Sequence, residues 1–306
     1  MGNVNLSVNF GGVPLKNPIV GASGTFGYGI MYNRFYDLEE IGGFVTKGLS
    51  NFPRAGNKPP RIFETASGML NAIGLQNIGF EKFVKDKMPV LRGVNTAVIA
   101  NFFGATVEEY AQMAEKLGNV DGVAALEMNI SCPNIKEGGI AFGSDVKLTG
   151  TVVKACRKAT TKPLIVKLSP NVGDITEFAK ACEANGADGL SVINTIVGMA
   201  IDIRKREPAL SNVTGGLSGP AIKPIALRMV WQCYKSVKIP IFGIGGVVSA
   251  EDVVEFIMAG ATAVQVGSMN FVDPYICKRL KDELPEVLSD LGVQDINEII
   301  GAAHSL

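Results

Sequence analysis

Histidine is as scarce as any residue type in this sequence: 306 residues contain one, His304, close to the C-terminus. Chain ends are poorly anchored as a rule, so His304 is expected to stand apart from the working part of the molecule. Any general base in the core must then be another residue type, and triads or metal centres built on imidazole are excluded. Net charge is missing too, because 29 basic residues balance 29 acidic ones. With no global positive field to draw the chain to nucleic acid or anionic lipid, small-molecule and protein partners are left. No run of roughly 18 apolar residues occurs. The opening MGNVNLSVNFGGVPLK has no basic leader ahead of an apolar core, and the expected location is cytoplasmic.

Cysteine is scarce and scattered. Cys132, Cys156, Cys182, Cys233 and Cys277 are odd in number and contain no C-x-x-C, which predicts neither a disulfide framework nor zinc or iron–sulfur ligation; no metal site is expected. The last four lie in helix-like segments and read as inert core residues. A dinucleotide fingerprint is also lacking. Gly243-Ile244-Gly245-Gly246 misses the third spacing, so nicotinamide dinucleotide is not expected to bind this chain.

What is present is ordinary globular material, 47% hydrophobic and 19% charged, with an excess of glycine at 36 residues. Eight short apolar runs rich in Val and Ile recur at Pro18–Gly24, Phe44–Leu49, Ala97–Gly104, Ala125–Asn134, Leu164–Pro170, Gly189–Thr195, Pro240–Val247 and Ala263–Met269. They lack alternation, as parallel strands covered on both faces do. Between them, Thr106…Glu109, Asp174…Glu177 and Ser249…Asp252 have capping-box spacing for helix starts. Length alone leaves one or two domains open. Eight strand–helix units with no linker favour a closed (β/α)8 TIM barrel as one α/β domain over residues 1–306, with a doubly wound open sheet as runner-up. Longer gaps after the second, fourth and sixth runs predict inserted active-site loops. The opening segment around Gly11-Gly12 predicts a small N-terminal β-hairpin that could plug the barrel floor.

Barrels do their chemistry at the C-terminal strand ends. Here those ends deliver Ser23, Lys47-Gly48, Asn101, Asn129 to Asn134, Lys167, Asn194-Thr195, Gly245-Gly246 and Gly267-Ser268. The glycines after runs seven and eight sit where barrels commonly hold a phosphate on bare backbone N–H groups. Lys47 and Lys167 interrupt apolar strands, and a lysine so placed implies a negative partner. Cys132 stands in NISCPN, where Pro133 ends any ladder and exposes the turn. Trp231 in RMVWQCY reads as helix packing.

Through LKNPIVGASGTFGYG, TKGLS, NAIGLQN, NISCPN, IVKLSPN, GLSGPAIKP and GIGGV the whole chain resembles the class 1 dihydroorotate dehydrogenases, and most closely the catalytic subunits of class 1B. Class 2 relatives carry a serine base and a membrane-associated extension, where this sequence has Cys132 and no extension. The resemblance implies oxidation of dihydroorotate to orotate in pyrimidine biosynthesis, with Cys132 as the base. It implies FMN held by Ser23, Lys47, Gly48, Asn101, Asn129, Lys167, Ile193, Gly219, Gly245, Gly246, Gly267 and Ser268. It implies a substrate site from Lys47, Asn71, Ala72, Ile73, Gly74, Leu75, Asn129, Asn134, Asn194 and Thr195. The glycine-rich EGGIAFG resembles a lid that closes over substrate. The resemblance further implies a homodimeric core within a heterotetramer, whose second subunit carries FAD and an iron–sulfur cluster and passes electrons to NAD. Three other readings stay open at this point: a self-sufficient homodimer using fumarate, a flavin-free lyase with Lys47 or Lys167 as Schiff base, and a phosphate-binding barrel without catalysis.

Overall fold

The computed structural model of the protein describes residues 4–131 and 142–305. Eight parallel strands close into a barrel in sequence order: β1 Ile19–Gly21, β2 Gly43–Val45, β3 Ala97–Phe102, β4 Ala125–Asn129, β5 Leu164–Lys167, β6 Gly189–Val192, β7 Ile241–Ile244 and β8 Ala263–Val266. This is the expected (β/α)8 barrel. Each apolar run supplies one strand, but the ladders stop several residues before the runs do. At those points the chain leaves the ring and turns its polar residues toward the mouth.

The helices follow the start signals. Helix Val107–Gly118 begins where Thr106 Oγ1 accepts the N–H of Glu109, and it buries Tyr110, Met113, Ala114 and Leu117 on one stripe. Ser249 and Asp252 complete a reciprocal capping box at helix Ala250–Met258. Asp174 caps Thr176 N–H, one residue short of the spacing expected. The β1–β2 connection departs from the pattern, because it is made of 3-10 turns at Ile30–Arg34 and Leu38–Glu40. Among the described residues no helix is long and apolar enough to cross a membrane.

The hairpin forms from antiparallel strands Val8–Phe10 and Val13–Leu15. Phe10 stacks on Phe242 of β7 with ring centroids 3.6 Å apart, closing the barrel at its N-terminal end. At the opposite end the insertions after β2 and β6 join. Ile196–Met199, Thr214–Ser218, Gly68–Asn71 and Ile62–Thr65 make one four-stranded antiparallel sheet in that order. His304 is better anchored than a chain end suggests: its ring lies 4.8 Å from that of Trp231, and Nε2 is 3.0 Å from the carbonyl of Ala259. Helix packing is indeed where Trp231 is used, with His304 covering it.

Candidate active site

Register places the polar residues. The ladders pair Asn101 with Glu127, Asn129 with Lys167, and Lys167 with Ser191, so neighbouring strands turn these side chains to one side of the ring. Lys167 is buried, its Nζ 4.0 Å from a carboxylate oxygen of Glu127 and 3.4 Å from Ser23 Oγ. The negative partner that Lys167 implied is therefore part of the protein. For Lys47 the structure differs: no carboxylate of the described residues lies within ion-pair distance of it. Burial, with the Arg61 guanidinium adding to it, holds the Lys47 ammonium below the usual lysine range.

A cavity of about 360 Å³ opens at the C-terminal ends of the strands, roofed by the inserted sheet. Its described wall contains two cations, Lys47 and Lys167, and no carboxylate. One side is made of amides and a hydroxyl. Asn194 Nδ2 donates to Asn129 Oδ1 at 3.3 Å and to Ser131 Oγ at 2.9 Å, and its own Oδ1 takes the N–H of Thr195 at 2.8 Å. Asn71 donates to the Gly216 carbonyl at 3.2 Å, stitching the two insertions together. Asn101, Gly48, Ile193 and Gly219 complete the inner wall.

Two stretches of bare backbone face this space. After β7 and β8, the N–H groups of Gly246, Val247, Gly267 and Ser268 have no acceptor among the described residues. Gly245 and Gly246 have φ of 135° and 76°. A Cβ on Gly246 would lie 2.8 Å from Lys223 Cβ and 2.9 Å from the Gly219 carbonyl, whereas one on Gly267 would stand in open space. Backbone is pressed close on one side and left clear on the other, the form of an anion cradle. On the far wall Ala72, Ile73, Gly74 and Leu75 turn through φ of 74° and 58° at the last two. Asn57 holds the Ala72 and Ile73 carbonyls and Asn77 that of Leu75, while the N–H groups of Ile73, Gly74 and Leu75 lack an acceptor among the described residues.

The family model described as dihydroorotate dehydrogenase matches residues 5–288. The chain belongs to the dihydroorotate dehydrogenase family. Its relatives in that family include proteins named dihydroorotate dehydrogenase B (NAD(+)), catalytic subunit. That of Trichlorobacter lovleyi is 60% identical over 297 residues, 97% of this chain and 98% of the relative. That of Geobacter metallireducens is 58% identical over 298 residues, 97% of this chain and 98% of the relative. The crystal structure of DHODH in complex with ferulenol from Eimeria tenella shares the fold, with a TM-score of 0.83 at 23% identity, covering 99% of this chain and 89% of that one.

Every family site residue singled out from the sequence that lies among the described residues falls on the wall of this one cavity. Cys132 and Asn134 lie outside the described residues, as does the EGGIAFG segment up to Ala141. Sequence reasoning missed Glu127, Ser191 and Gln265 beneath the cavity and Asn171 on its wall, and it gave Ser131 a place at the rim but no role. The first three carried a readable signal: each is a polar residue flanked by apolar ones in a strand run, ALEMN, GLSV and AVQV, like the two lysines. The other four cysteines are buried in helices as expected. Burial pushes the thiols of Cys156, Cys233 and Cys277 up to about 12 and raises that of Cys182 as well.

Proposed function

We propose that this chain, taken as one domain over residues 1–306, is the FMN-bearing catalytic subunit of an NAD-linked dihydroorotate dehydrogenase that oxidises dihydroorotate to orotate for pyrimidine biosynthesis. The observation that carries this is the cavity itself: among the described residues its wall has two cations, no acid, and backbone N–H groups without an acceptor at two separate points. A ligand pair with a phosphate and a ring carboxylate suits that division.

The residues present fit FMN. Gly246, Val247, Gly267 and Ser268 offer N–H groups for a phosphate, and the missing side chain of Gly267 leaves room for it. Ser23, Gly48, Asn101, Asn129, Ile193, Gly219 and Gly245 would line the rest of the cofactor. Lys167 supplies a cation to offset the charge that reduction adds. When bound, FMN provides the acceptor for the hydride that leaves the substrate ring.

Lys47 and the N–H groups of Ile73, Gly74 and Leu75 hold the substrate carboxylate. Asn71, Asn129, Asn134, Asn194 and Thr195 satisfy the ring amides and carbonyls, because an amide side chain both donates and accepts. Cys132 takes the proton from the ring carbon next to the one that loses hydride. A free thiol has a pKa near about 8.5, so this base gains strength through the mildly alkaline range. The second subunit this reading requires would carry FAD and an iron–sulfur cluster and would supply the route from the reduced flavin to NAD in the cytoplasm. A homodimer of this chain forms the core of the resulting heterotetramer.

The test is the visible spectrum of the purified protein. Flavin absorbance that bleaches on anaerobic addition of dihydroorotate is the expected result. A colourless protein that releases no FMN on denaturation would sink the reading and favour a Schiff-base lyase.

A further inference from the structure

Barrel interiors are normally filled by branched apolar side chains in layers. One layer here is polar. Strands β3, β4, β5, β6 and β8 send Asn101, Glu127, Lys167, Ser191 and Gln265 to a single buried spot directly under the cavity. Glu127 is at its centre with 0% exposure. Its carboxylate accepts from Asn101 Nδ2 at 2.7 Å, Ser191 Oγ at 2.6 Å and Gln265 Nε2 at 2.6 Å. Lys167 Nζ stands 4.0 Å away.

Those distances divide the work unequally. Three neutral donors solvate the carboxylate at close range, as a buried charge requires. The lysine stays at the outer limit of ion pairing, held laterally by Ser23 Oγ, with its ammonium still on the cavity wall. Asn101 is fixed as well: its amide donates downward to Glu127, which leaves Oδ1 beside Gly48, where a Cβ would meet it at 2.7 Å. An apolar residue at position 127 would fill the barrel equally well, so packing alone does not account for a carboxylate here.

We propose that Glu127 is a positioning residue that acts through Lys167 and Asn101 to set the reduction potential of the bound flavin. The inference rests on the proposed FMN site. Its counter-charge partly cancels Lys167, so the site stabilises the reduced, more negative cofactor less than a bare lysine would. Charges of opposite sign this close in a low-dielectric interior interact strongly, and a flavin on the wall feels their difference.

The test is a redox titration of the FMN-loaded protein. Glu127→Gln keeps the shape and removes the charge. It should favour binding of reduced over oxidised FMN by at least tenfold, a rise in potential of about 30 mV for a two-electron couple. Glu127→Asp, which restores the charge, should return the ratio to within a few-fold of wild type. Glu127→Gln that loads FMN and titrates at the wild-type potential would overturn the proposal, whatever its melting temperature. Should that variant not fold, Ser191→Ala decides instead: it removes one of the three donors that offset the carboxylate, so the charge balance felt through Lys167 changes and the potential should shift from wild type, and an unchanged value overturns the role. Wild-type protein that takes up no FMN at all would instead overturn the cofactor reading itself.

Discussion

In the proposed mechanism Cys132 would handle a proton and Lys47 an anion, and each role predicts a separable phenotype. Cys132→Ala should lower kcat by roughly 10²- to 10⁴-fold, the usual worth of a positioned base, while flavin content and orotate affinity hold. Stopped-flow bleaching by dihydroorotate checks this, and a variant that reduces flavin at the wild-type rate would remove Cys132 from the mechanism. Lys47→Ala should weaken orotate binding by about 1.5–3 kcal/mol, the range for a charge-assisted hydrogen bond. The pH dependence has a definite sign. Burial and Arg61 lower the Lys47 pKa, so the ammonium is lost before an ordinary lysine's as pH rises. Orotate affinity should therefore fall with pH in a window below the usual value of 10.5, and Lys47→Ala should abolish that dependence. The same sign makes the folded chain bind fewer protons at Lys47 than the unfolded one, so this residue costs stability at neutral pH and the cost fades toward 10.5.

At the scale of elements, the hairpin and the ring make independent contributions. Phe10 reaches β7 from the barrel floor, far along the strands from the cavity, so Phe10→Ala should lower stability by about 3–5 kcal/mol without weakening FMN binding. Thermal melts set beside flavin fluorescence titrations check both halves of that statement. Strand existence was legible in the sequence because parallel strands buried on both faces read as unbroken apolar runs. Strand ends were not, because Ala22, Thr46 and Ile130 are apolar or buried yet lie past the last ladder residue. The first connection departs from the strand–helix repeat for a local reason: Phe26, Tyr32 and Tyr36 bury their rings there, with Phe26 and Tyr32 stacked at 3.9 Å, and 3-10 turns suffice to carry them. Site residues announced themselves wherever a polar side chain broke an apolar strand. Glu127 broke one too, but its meaning depends on four other strands, and that convergence exists only in three dimensions.

For the whole molecule, the proposed function separates flavin reduction in this chain from NAD reduction on a second subunit. The isolated protein should reduce an artificial acceptor with dihydroorotate yet leave NAD untouched, and adding the electron-transfer subunit should restore NAD reduction. Steady-state assays with each acceptor check it; robust NAD reduction by the single chain would overturn the division of labour. The barrel and its mouth were readable from spacing, but the roof was not, since it needs strands about 150 residues apart in sequence to pair. That roof has a mechanical consequence. The insertions it joins leave the ring from β2 and β6, which stand opposite one another among eight staves, and Asn71 is laddered to Gly216 between them. The sheet is a tie-rod across the mouth: the two sides of the barrel cannot splay along that diameter without breaking the ladder, so ligands must enter beside the rod. Amide exchange at Asn71 and Gly216 should accordingly slow and quicken together, as one span under common tension.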